Sequence, residues 1–395
     1  MAKSKRDLNI GVIGAGGRGG LALHAHKPES GVRVVAGADV NPKAFARFRE
    51  RFGPDVFVTS DYRELLKRDD IAAVFVTSPD FLHEEHALAA LEAGKHVYLE
   101  KPMAITVEGC DRILETACRL KRRLMLGHNM RYMNLIQKMR ELIRKGAIGE
   151  VRAGWCRHFV AYGGDAYFKD WHAERRRATS LLLQKGAHDI DVLHWLCGGY
   201  TRRVNAMGNL SVYNRITDRH PPEERGDAGW SLDNWPPLSQ KGLNPVIDVE
   251  DLSMMLMELD NGVLCSYQQC HYTPDGWRNY TIIGTEGRIE NFGDHPGHCV
   301  VRLWNKRVAY NPYGHEQYFI PEVRGGHGGA DPGIVQAFVD YVRFGRKIYT
   351  SPIAARNSVA AGCMAAWSLR HGGKPADIPP LSKKLIEYFS KDVEE

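Results

Sequence analysis

The sequence predicts an α/β protein. A doubly wound parallel sheet comes first, followed by a C-terminal α+β domain with an open-faced, mainly antiparallel sheet. Three observations lead to this prediction. Strand and helix signals alternate at short intervals over the first 130 residues, and a glycine-rich turn follows the first strand. Beyond residue 150 the predicted strands are longer and alternate in polarity. We expect domains at 1–130 and 131–395, with the last helices packing back on the first domain.

The first domain is predicted from apolar strands that alternate with amphipathic helices. The strands are expected at 8–13, 32–38, 55–59, 72–78, 95–99 and 123–127. The helices are expected at 18–27, 42–52, 61–67, 82–93 and 106–121. This alternation gives a parallel sheet with helices on both faces, and ligands bind at the carboxyl ends of its strands.

The second domain is predicted from segments of alternating polarity, with Asn261-Gly262 as a turn between two of them. Residues 215–245 are rich in proline, glycine and charge and are expected to form a long loop. Because one sheet face is left without helices, we expect a homodimer or homotetramer. The strands are expected within 150–160, 251–272 and 279–292, and the helices at 180–199, 333–344 and 352–371.

Composition narrows the class of protein. The 395 residues are 43% hydrophobic and 25% charged, as in a globular protein with more than one domain. No apolar run approaches the ~20 residues that cross a bilayer, and no signal peptide is recognised, so we expect a cytoplasmic protein without membrane contact. A net charge of +6 with short basic clusters does not indicate a nucleic-acid partner. Eight cysteines without a C-x-x-C pair do not indicate a zinc site.

A glycine-rich turn follows the first predicted strand, in LNIGVIGAGGRG at 8–19. Three glycines fill the fixed positions of G-x-G-x-x-G. They allow a tight turn, a close backbone approach to a pyrophosphate, and close packing of helix on strand. The turn therefore predicts dinucleotide binding. The residues expected to contact the dinucleotide here are Gly14, Gly16, Gly17, Arg18 and Gly19.

The second strand ends at Asp39, about 20 residues beyond the turn. A carboxylate there can accept both hydroxyls of an adenosine ribose. Val40 and Asn41 follow instead of an arginine that would accommodate a 2′-phosphate. NAD is therefore predicted in preference to NADP.

Two further strand ends offer candidates at the same sheet edge. The fourth strand is followed by Thr77, Ser78, Pro79 and then His83, which either contact the dinucleotide or form an ordinary turn. The fifth strand ends in HVYLEKP, which brings Glu100 and Lys101 to this edge as candidate contacts. Because the following proline restricts Lys101 to an extended conformation, its side chain has a defined direction. A lysine placed here can polarise a substrate oxygen.

The segment 180–199 carries a second candidate group. Gln184, His188 and Asp191 are spaced i, i+4, i+7 and share one helix face. Oxidation of a hydroxyl requires a proton acceptor, and a histidine that titrates near neutrality suits that role. No metal is expected, because side chains at i, i+1 and i+3 of one helix do not converge on an ion.

The glycine turn, EKP at 100–102 and G-x-H-x-x-D at 186–191 together resemble the Gfo/Idh/MocA family (glucose–fructose oxidoreductase, inositol dehydrogenase and relatives). NGVLCSYQQ and IIGTEGRIE also resemble its second domain. The resemblance implies an N-terminal Rossmann domain and NAD(P)-dependent oxidation or reduction of a sugar or cyclitol hydroxyl. It implies that Lys101 and His188 are catalytic. Dinucleotide contacts are implied for Asn129 and Arg131 of NMRY and for Trp171.

The sequence departs from that family at one position. The family often has aspartate four residues before the histidine, whereas this chain has Gln184, followed by Lys185. Lys185 is thus a further catalytic candidate, and a second cation there would lower the pKa of His188. The expected ligand is a small carbohydrate or glycoside. Its candidate contacts are Tyr162, Tyr167, Gln184 and His327.

Two other functions remain open from the sequence. One is a glycosidase that retains NAD and oxidises its sugar transiently, as the GGRG turn is reminiscent of certain α-N-acetylgalactosaminidases. The other is a nucleotide sensor without catalysis, against which Lys101 and His188 argue.

Overall fold

The structure, a computed structural model, describes residues 7–224, 229–295, 297–323 and 325–394. The chain forms two compact units. The first unit comprises Met1–Tyr132, Gly325–Arg356 and Pro380–Glu395, and the second comprises Met133–Arg324 and Asn357–Pro379. Segments near the C-terminus therefore belong to the first unit.

The strands, in chain order, are β1 Leu8–Ile13, β2 Val32–Ala38, β3 Phe57–Thr59, β4 Ala73–Val76, β5 His96–Leu99, β6 Leu124–Leu126, β7 Val151–Phe159, β8 Thr201–Asn209, β9 Leu252–Leu259, β10 Leu264–Cys270, β11 Trp277–Gly284, β12 Arg288–Phe292, β13 Val300–Trp304, β14 Glu316–Phe319 and β15 Ala376–Asp377. The α-helices are α1 Lys43–Phe52, α2 Tyr62–Leu66, α3 His83–Glu92, α4 Val107–Leu120, α5 Asn134–Arg144, α6 Gly163–Tyr167, α7 Arg175–Ala178, α8 Leu181–Gln184, α9 Gly186–Cys197, α10 Ala330–Phe344, α11 Pro352–Arg370 and α12 Lys383–Ser390. Short 3₁₀ helices lie at Gly17–His24, Pro28–Ser30, Asp80–Leu82, Asn129–Tyr132, Trp171–Ala173, Tyr213–Arg215, Leu232–Asn234 and Pro237–Ser239.

The first unit contains a six-stranded parallel sheet in the order β3-β2-β1-β4-β5-β6. The predicted doubly wound sheet is confirmed, and each predicted strand of this domain is present. The strand order reverses between β1 and β4, which is where ligands bind in sheets of this kind. Helix α10 contributes to the core, because the Phe338 ring packs edge-on against Phe75 and Tyr98 with centroids 5.3 and 5.6 Å away. Residues far apart in sequence thus complete one hydrophobic core.

The helical stretch predicted near 18–27 is present as a 3₁₀ helix at Gly17–His24. A Cβ at Gly19 would lie 2.4 Å from the carbonyl oxygen of Gly14, so the turn is tightly packed at this point. Glycine also has a poor propensity for an α-helix.

The second unit contains a nine-stranded sheet in the order β14-β13-β12-β11-β7-β10-β9-β8-β15. Its pairs are antiparallel except for β7 with β10, so the predicted mainly antiparallel sheet is confirmed. Helix α9 packs on β7 and β10 on one face. The other face exposes apolar side chains, of which Met207 is 71% exposed and Leu256 58% exposed. Strands β8, β13, β14 and β15 were not predicted.

The helix predicted over 180–199 is present and ends at Gly198, but an interruption at one residue, Lys185, whose φ and ψ of −91° and −40° stay right-handed helical, divides it into α8 and α9. Lys185 still donates its N–H to the Leu181 carbonyl at 3.0 Å. A Cβ at Gly186 would lie 3.0 Å from Cε1 of Tyr267, so the chain passes close to β10 immediately after the interruption. Gln184 and His188 therefore belong to two successive helices.

The loop predicted at 215–245 is irregular apart from short 3₁₀ turns, and its residues 225–228 lie outside the described part of the chain. Among the described residues, no helix is both long enough and apolar enough to cross a membrane.

Candidate active site

The glycine turn of the first unit is shaped for close approach by a ligand. Gly14 has φ of +89°, and a Cβ there would lie 2.7 Å from the backbone nitrogen of Ser78. A Cβ at Gly17 would meet open space. Asp39 lies against this turn, because its Oδ2 accepts the Gly16 N–H at 2.9 Å and its Oδ1 accepts the Asn41 N–H at 2.9 Å. The open turn with an adjacent carboxylate fits the pyrophosphate and ribose of a dinucleotide.

The candidates at the ends of β4 and β5 join the turn to the neighbouring strand ends. The hydroxyl of Thr77 donates to the Gly14 carbonyl at 2.8 Å. The His83 ring is buried, and its nitrogens lie 2.6 Å from the Pro102 carbonyl oxygen and 2.8 Å from that of Ser78. His83 therefore connects the segment after β4 to the segment that carries Lys101.

Arg18, which belongs to the glycine turn, has two carboxylate partners. Its Nε donates to Glu100 at 2.8 Å, and its two terminal nitrogens donate to Asp331 at 2.7 and 2.9 Å. Glu100 also accepts the N–H of Lys101 at 3.2 Å. Burial lowers the pKa of Arg18, but Glu100 and Asp331 more than compensate and hold it above its ordinary value. Arg18 thus fixes the glycine turn to the strand end that carries Lys101.

Asp331 was not predicted as a site residue. It accepts hydrogen bonds from Asn129 at 2.8 Å and contacts Nδ1 of His327 at 3.2 Å, in addition to Arg18. Burial would raise the pKa of Asp331, but the hydrogen bonds and charges of His327 and Arg18 hold it well below its usual range. The only sequence feature that pointed to this part of the site was the glycine cluster GGHGGAD, which ends at Asp331. His327 has φ of +51° there, and Gly326 leaves no room for a side chain beside Asp331.

Arg131 completes the candidates of the first unit. It is buried, and one of its terminal nitrogens donates to the Tyr349 carbonyl at 2.7 Å. Of the predicted residues, the structure brings Arg18, Glu100, Asn129 and His327 together around Asp331.

In the second unit, His188 lies on α9 next to a fully buried carboxylate, Asp189. The Asp189 carboxylate accepts from His158 Nδ1 at 2.9 Å, from Arg278 Nε at 2.9 Å, and from the hydroxyls of Tyr267 and Tyr280. Burial would raise the pKa of Asp189, but the Arg278 charge and these donors hold it well below its usual range. Strands β7, β10 and β11 thereby fix the position of the helix that carries His188.

Lys185 lies in a second buried polar cluster with two of the predicted substrate contacts. Its Nζ donates to the hydroxyl of Tyr162 at 2.9 Å and lies 5.2 and 5.5 Å from the ring centres of Tyr162 and Tyr167. Burial and then the Arg278 charge lower the pKa of Lys185, Asp189 and Asp294 oppose both effects, and the resulting pKa is about 7.

The remaining candidates of this unit are buried. Gln184 ends α8, and the Trp171 ring stacks on His172 with centroids 3.7 Å apart. Among the described residues, no cluster of three or more His, Cys, Asp or Glu side chains has the arrangement of a metal site.

Comparison with known proteins connects these features. Residues 8–128 match the profile described as "Oxidoreductase family, NAD-binding Rossmann fold" of GFO/IDH/MocA, and residues 136–290 match the GFO/IDH/MocA C-terminal domain. The chain is 27% identical to YteT of Bacillus subtilis (strain 168), named as an oxidoreductase, over 75% of this chain and 80% of that protein. It is 36% identical to the inositol 2-dehydrogenase of Serratia proteamaculans (strain 568), over 48% of this chain and 54% of that protein.

A solved structure has the same fold. The structure of a levoglucosan dehydrogenase, in complex with NADH and levoglucosan, superposes with a TM-score of 0.75 at 23% identity, covering 95% of this chain and all of that one. The two profiles together match more than half of the chain. The chain therefore belongs to the GFO/IDH/MocA family of oxidoreductases, with NAD as its cofactor.

Proposed function

We propose that this protein is an NAD-dependent dehydrogenase that acts on a secondary hydroxyl of a sugar, glycoside or cyclitol. The observation that carries the proposal is the pairing of an open glycine turn with Lys101 at the same sheet edge. Hydrogen bonds through Arg18 and Glu100 connect the two. Relatives named as inositol and levoglucosan dehydrogenases support this substrate class.

In the proposed mechanism, the glycine turn and Asp39 would hold NAD, which would supply the hydride acceptor for the carbon that bears the hydroxyl. The Lys101 ammonium polarises the hydroxyl oxygen and stabilises the developing alkoxide. His188 accepts the hydroxyl proton as general base. Asp189 does not touch the substrate in this scheme, but it fixes the helix that presents His188.

The same proposal assigns supporting roles to the other candidates. Thr77, Ser78, Pro79 and His83 shape the strand ends beside the dinucleotide. Arg131 and Trp171 border the nicotinamide. Tyr162, Tyr167 and Gln184 contact the substrate, as does His327.

We also propose that the protein is a homodimer or homotetramer that pairs through the uncovered sheet face. Apolar side chains on that face support this, among them Met207, Met254, Leu256 and Leu264. Soluble monomers rarely expose contiguous apolar patches of this kind.

The direct test is the formation of NADH with a panel of sugars, glycosides and cyclitols. We expect the absorbance of NADH to rise by one equivalent for each equivalent of substrate consumed. An NAD-retaining glycosidase would instead release free sugar without net NADH. A nucleotide sensor would bind NAD without dependence on any member of the panel.

Replacement of Asp39 by alanine tests the nucleotide preference. We expect NAD affinity to fall by about ten-fold or more, because the ribose hydroxyls lose a charged acceptor. NADP affinity should fall less or rise, since the carboxylate no longer repels a 2′-phosphate. Titration of protein fluorescence with each nucleotide measures both affinities.

The neighbouring variant Asn41→Ala is the matched control, because it alters the same loop without removing a carboxylate. An unchanged ratio of NAD to NADP affinity in Asp39→Ala would contradict the assigned role of Asp39.

A further inference from the structure

Lys185 is a buried cation without a carboxylate partner. Lys185 is 8% exposed, and the hydrogen bond of its Nζ goes to the Tyr162 hydroxyl. Among the described residues, no Asp or Glu oxygen forms an ion pair with its Nζ. An ammonium has three N–H donors, so two donors of Lys185 are unused. Buried charges are normally paired, which makes this lysine an exception that calls for a ligand.

A neighbouring cation, the mostly buried Arg278, has its carboxylate partners within the protein. Arg278 pairs with Asp189 at 2.9 Å and with Asp294 at 3.5 Å. Both carboxylates are thereby already engaged. The direct partners of the Lys185 ammonium are the Tyr162 hydroxyl and the faces of the two tyrosine rings, which are weaker partners than an anion in contact with it.

A second buried side chain in the same cluster also has unmet hydrogen-bonding capacity. His271 is fully buried, and within the described part of the chain neither ring nitrogen has a hydrogen-bond partner. Its ring lies 5.3 Å from that of Tyr167, which also faces Lys185. Burial, followed by the charges of His158 and Lys185, holds the pKa of His271 well below its usual value. A neutral imidazole can donate one N–H to a ligand oxygen.

We propose that Lys185 and His271 form a carboxylate-binding subsite, so that the substrate is an acidic sugar or cyclitol such as a uronate, an aldonate or a ring carboxylic acid. The inference rests on the proposed dehydrogenase function and specifies its substrate class. The carboxylate receives the two unused N–H donors of Lys185 and one N–H of His271. The hydroxyl to be oxidised is a different group of the same molecule, so Lys185 binds the substrate and Lys101 polarises it.

Proton linkage follows from the environment of Lys185. The titratable and charged groups that face it are Tyr162, Tyr167, His158, His271, Asp189, Arg278 and Asp294. With a pKa of about 7, Lys185 is about half protonated in the free protein near neutrality. An anion binds the ammonium form, so binding raises this pKa and takes up a proton. We expect an uptake of up to roughly half a proton at about pH 7.

The test measures binding of matched pairs to the NADH-bound protein by calorimetry, because NADH prevents turnover. The pairs are D-galacturonate with D-galactose and D-glucuronate with D-glucose. We expect the acidic member of at least one pair to bind about 10- to 100-fold more tightly. Repeating the titration in buffers of different ionisation enthalpy gives the number of protons taken up. This wild-type measurement does not depend on the folding of any variant.

Three variants localise the effect. Lys185→Met should remove the preference for the acidic member. Lys185→Arg keeps the charge at every accessible pH, so binding should persist in part without proton uptake. The control Lys138→Met removes a lysine of the same unit that already pairs with Glu141 at 2.6 Å. It should change neither the preference for the acidic member nor the proton uptake.

The results separate this inference from the proposed function. If the acidic member binds no better than the neutral member in both pairs, absence of binding included, the carboxylate subsite is overturned. A Lys185→Met protein that keeps the wild-type preference for the acidic member overturns it as well. If neutral sugars are oxidised with formation of NADH, the dehydrogenase function stands without the subsite. If uronate binds with proton uptake but no panel member yields NADH, the subsite stands and the proposed function fails.

Discussion

Replacing Lys101 by methionine is expected to lower kcat by about 10²- to 10³-fold while leaving NAD affinity nearly unchanged. The ammonium stabilises charge that develops only in the transition state, so its loss affects kcat more than binding. The side chain lies beyond the end of β5, and its backbone N–H is bound by Glu100, which Arg18 holds in turn. Steady-state kinetics on the best substrate of the panel, together with nucleotide titration, measure both quantities.

The chain offers a matched control at the other end of the same strand. Lys95 precedes β5 and donates from Nζ to the Arg68 carbonyl at 2.7 Å. Lys95→Met should reduce the free energy of unfolding slightly without a change in kcat. The double variant Lys101→Met with His188→Asn should lose less than the product of the two single effects, because the two groups act on one transition state. A Lys101→Met enzyme with wild-type kcat would remove this lysine from the mechanism.

Replacing Asp189 by alanine is expected to lower the free energy of unfolding by about 3–5 kcal/mol. The substitution leaves Arg278 with one carboxylate instead of two and removes the acceptor of His158, Tyr267 and Tyr280. His158, Tyr267 and Tyr280 are buried and the Arg278 side chain is only 14% exposed, so water cannot replace the lost partner without rearrangement. Urea denaturation of the second-unit transition measures the change. The exposed-loop variant Asp260→Ala, which removes only an acceptor for the Tyr200 N–H, should cost about 1 kcal/mol or less.

The low pKa of Asp189 also predicts a pH dependence of stability. Its folded pKa lies below the value of about 3.9 in the unfolded chain. Its stabilising contribution is therefore complete above that unfolded value and is lost as the pH falls through the folded pKa. Wild-type stability should fall below about pH 4 more steeply than that of Asp189→Asn. If the free energies of unfolding of the two proteins ran parallel as the pH falls, the ionised Asp189 would not contribute to this pH dependence.

The parallel sheet and the glycine turn could be predicted because both are local features of the sequence. Apolar runs such as 32–38 mark buried strands, and a turn such as Gly14–Gly19 has one dominant use when a strand precedes it. Strand boundaries in the first domain agreed with the structure to within two residues, because polar or glycine residues follow these apolar runs.

The connections within the site could not be predicted, because they join residues far apart in the chain. Asp331 meets Arg18 across 313 positions, and Arg278 meets Asp189 across 89. Hydrophobic periodicity indicates which face of an element is buried, but it does not indicate which charge lies opposite. The same reason explains why the parallel pairing of β7 with β10 was missed.

The most direct test of the central claim is the fate of deuterium at the carbon that is oxidised. A panel substrate labelled with deuterium at that carbon is incubated with NAD, and both products are analysed by mass spectrometry. We predict that each NADH carries one deuterium and that the sugar product is the corresponding ketone. Release of free sugar without labelled NADH would contradict the dehydrogenase function.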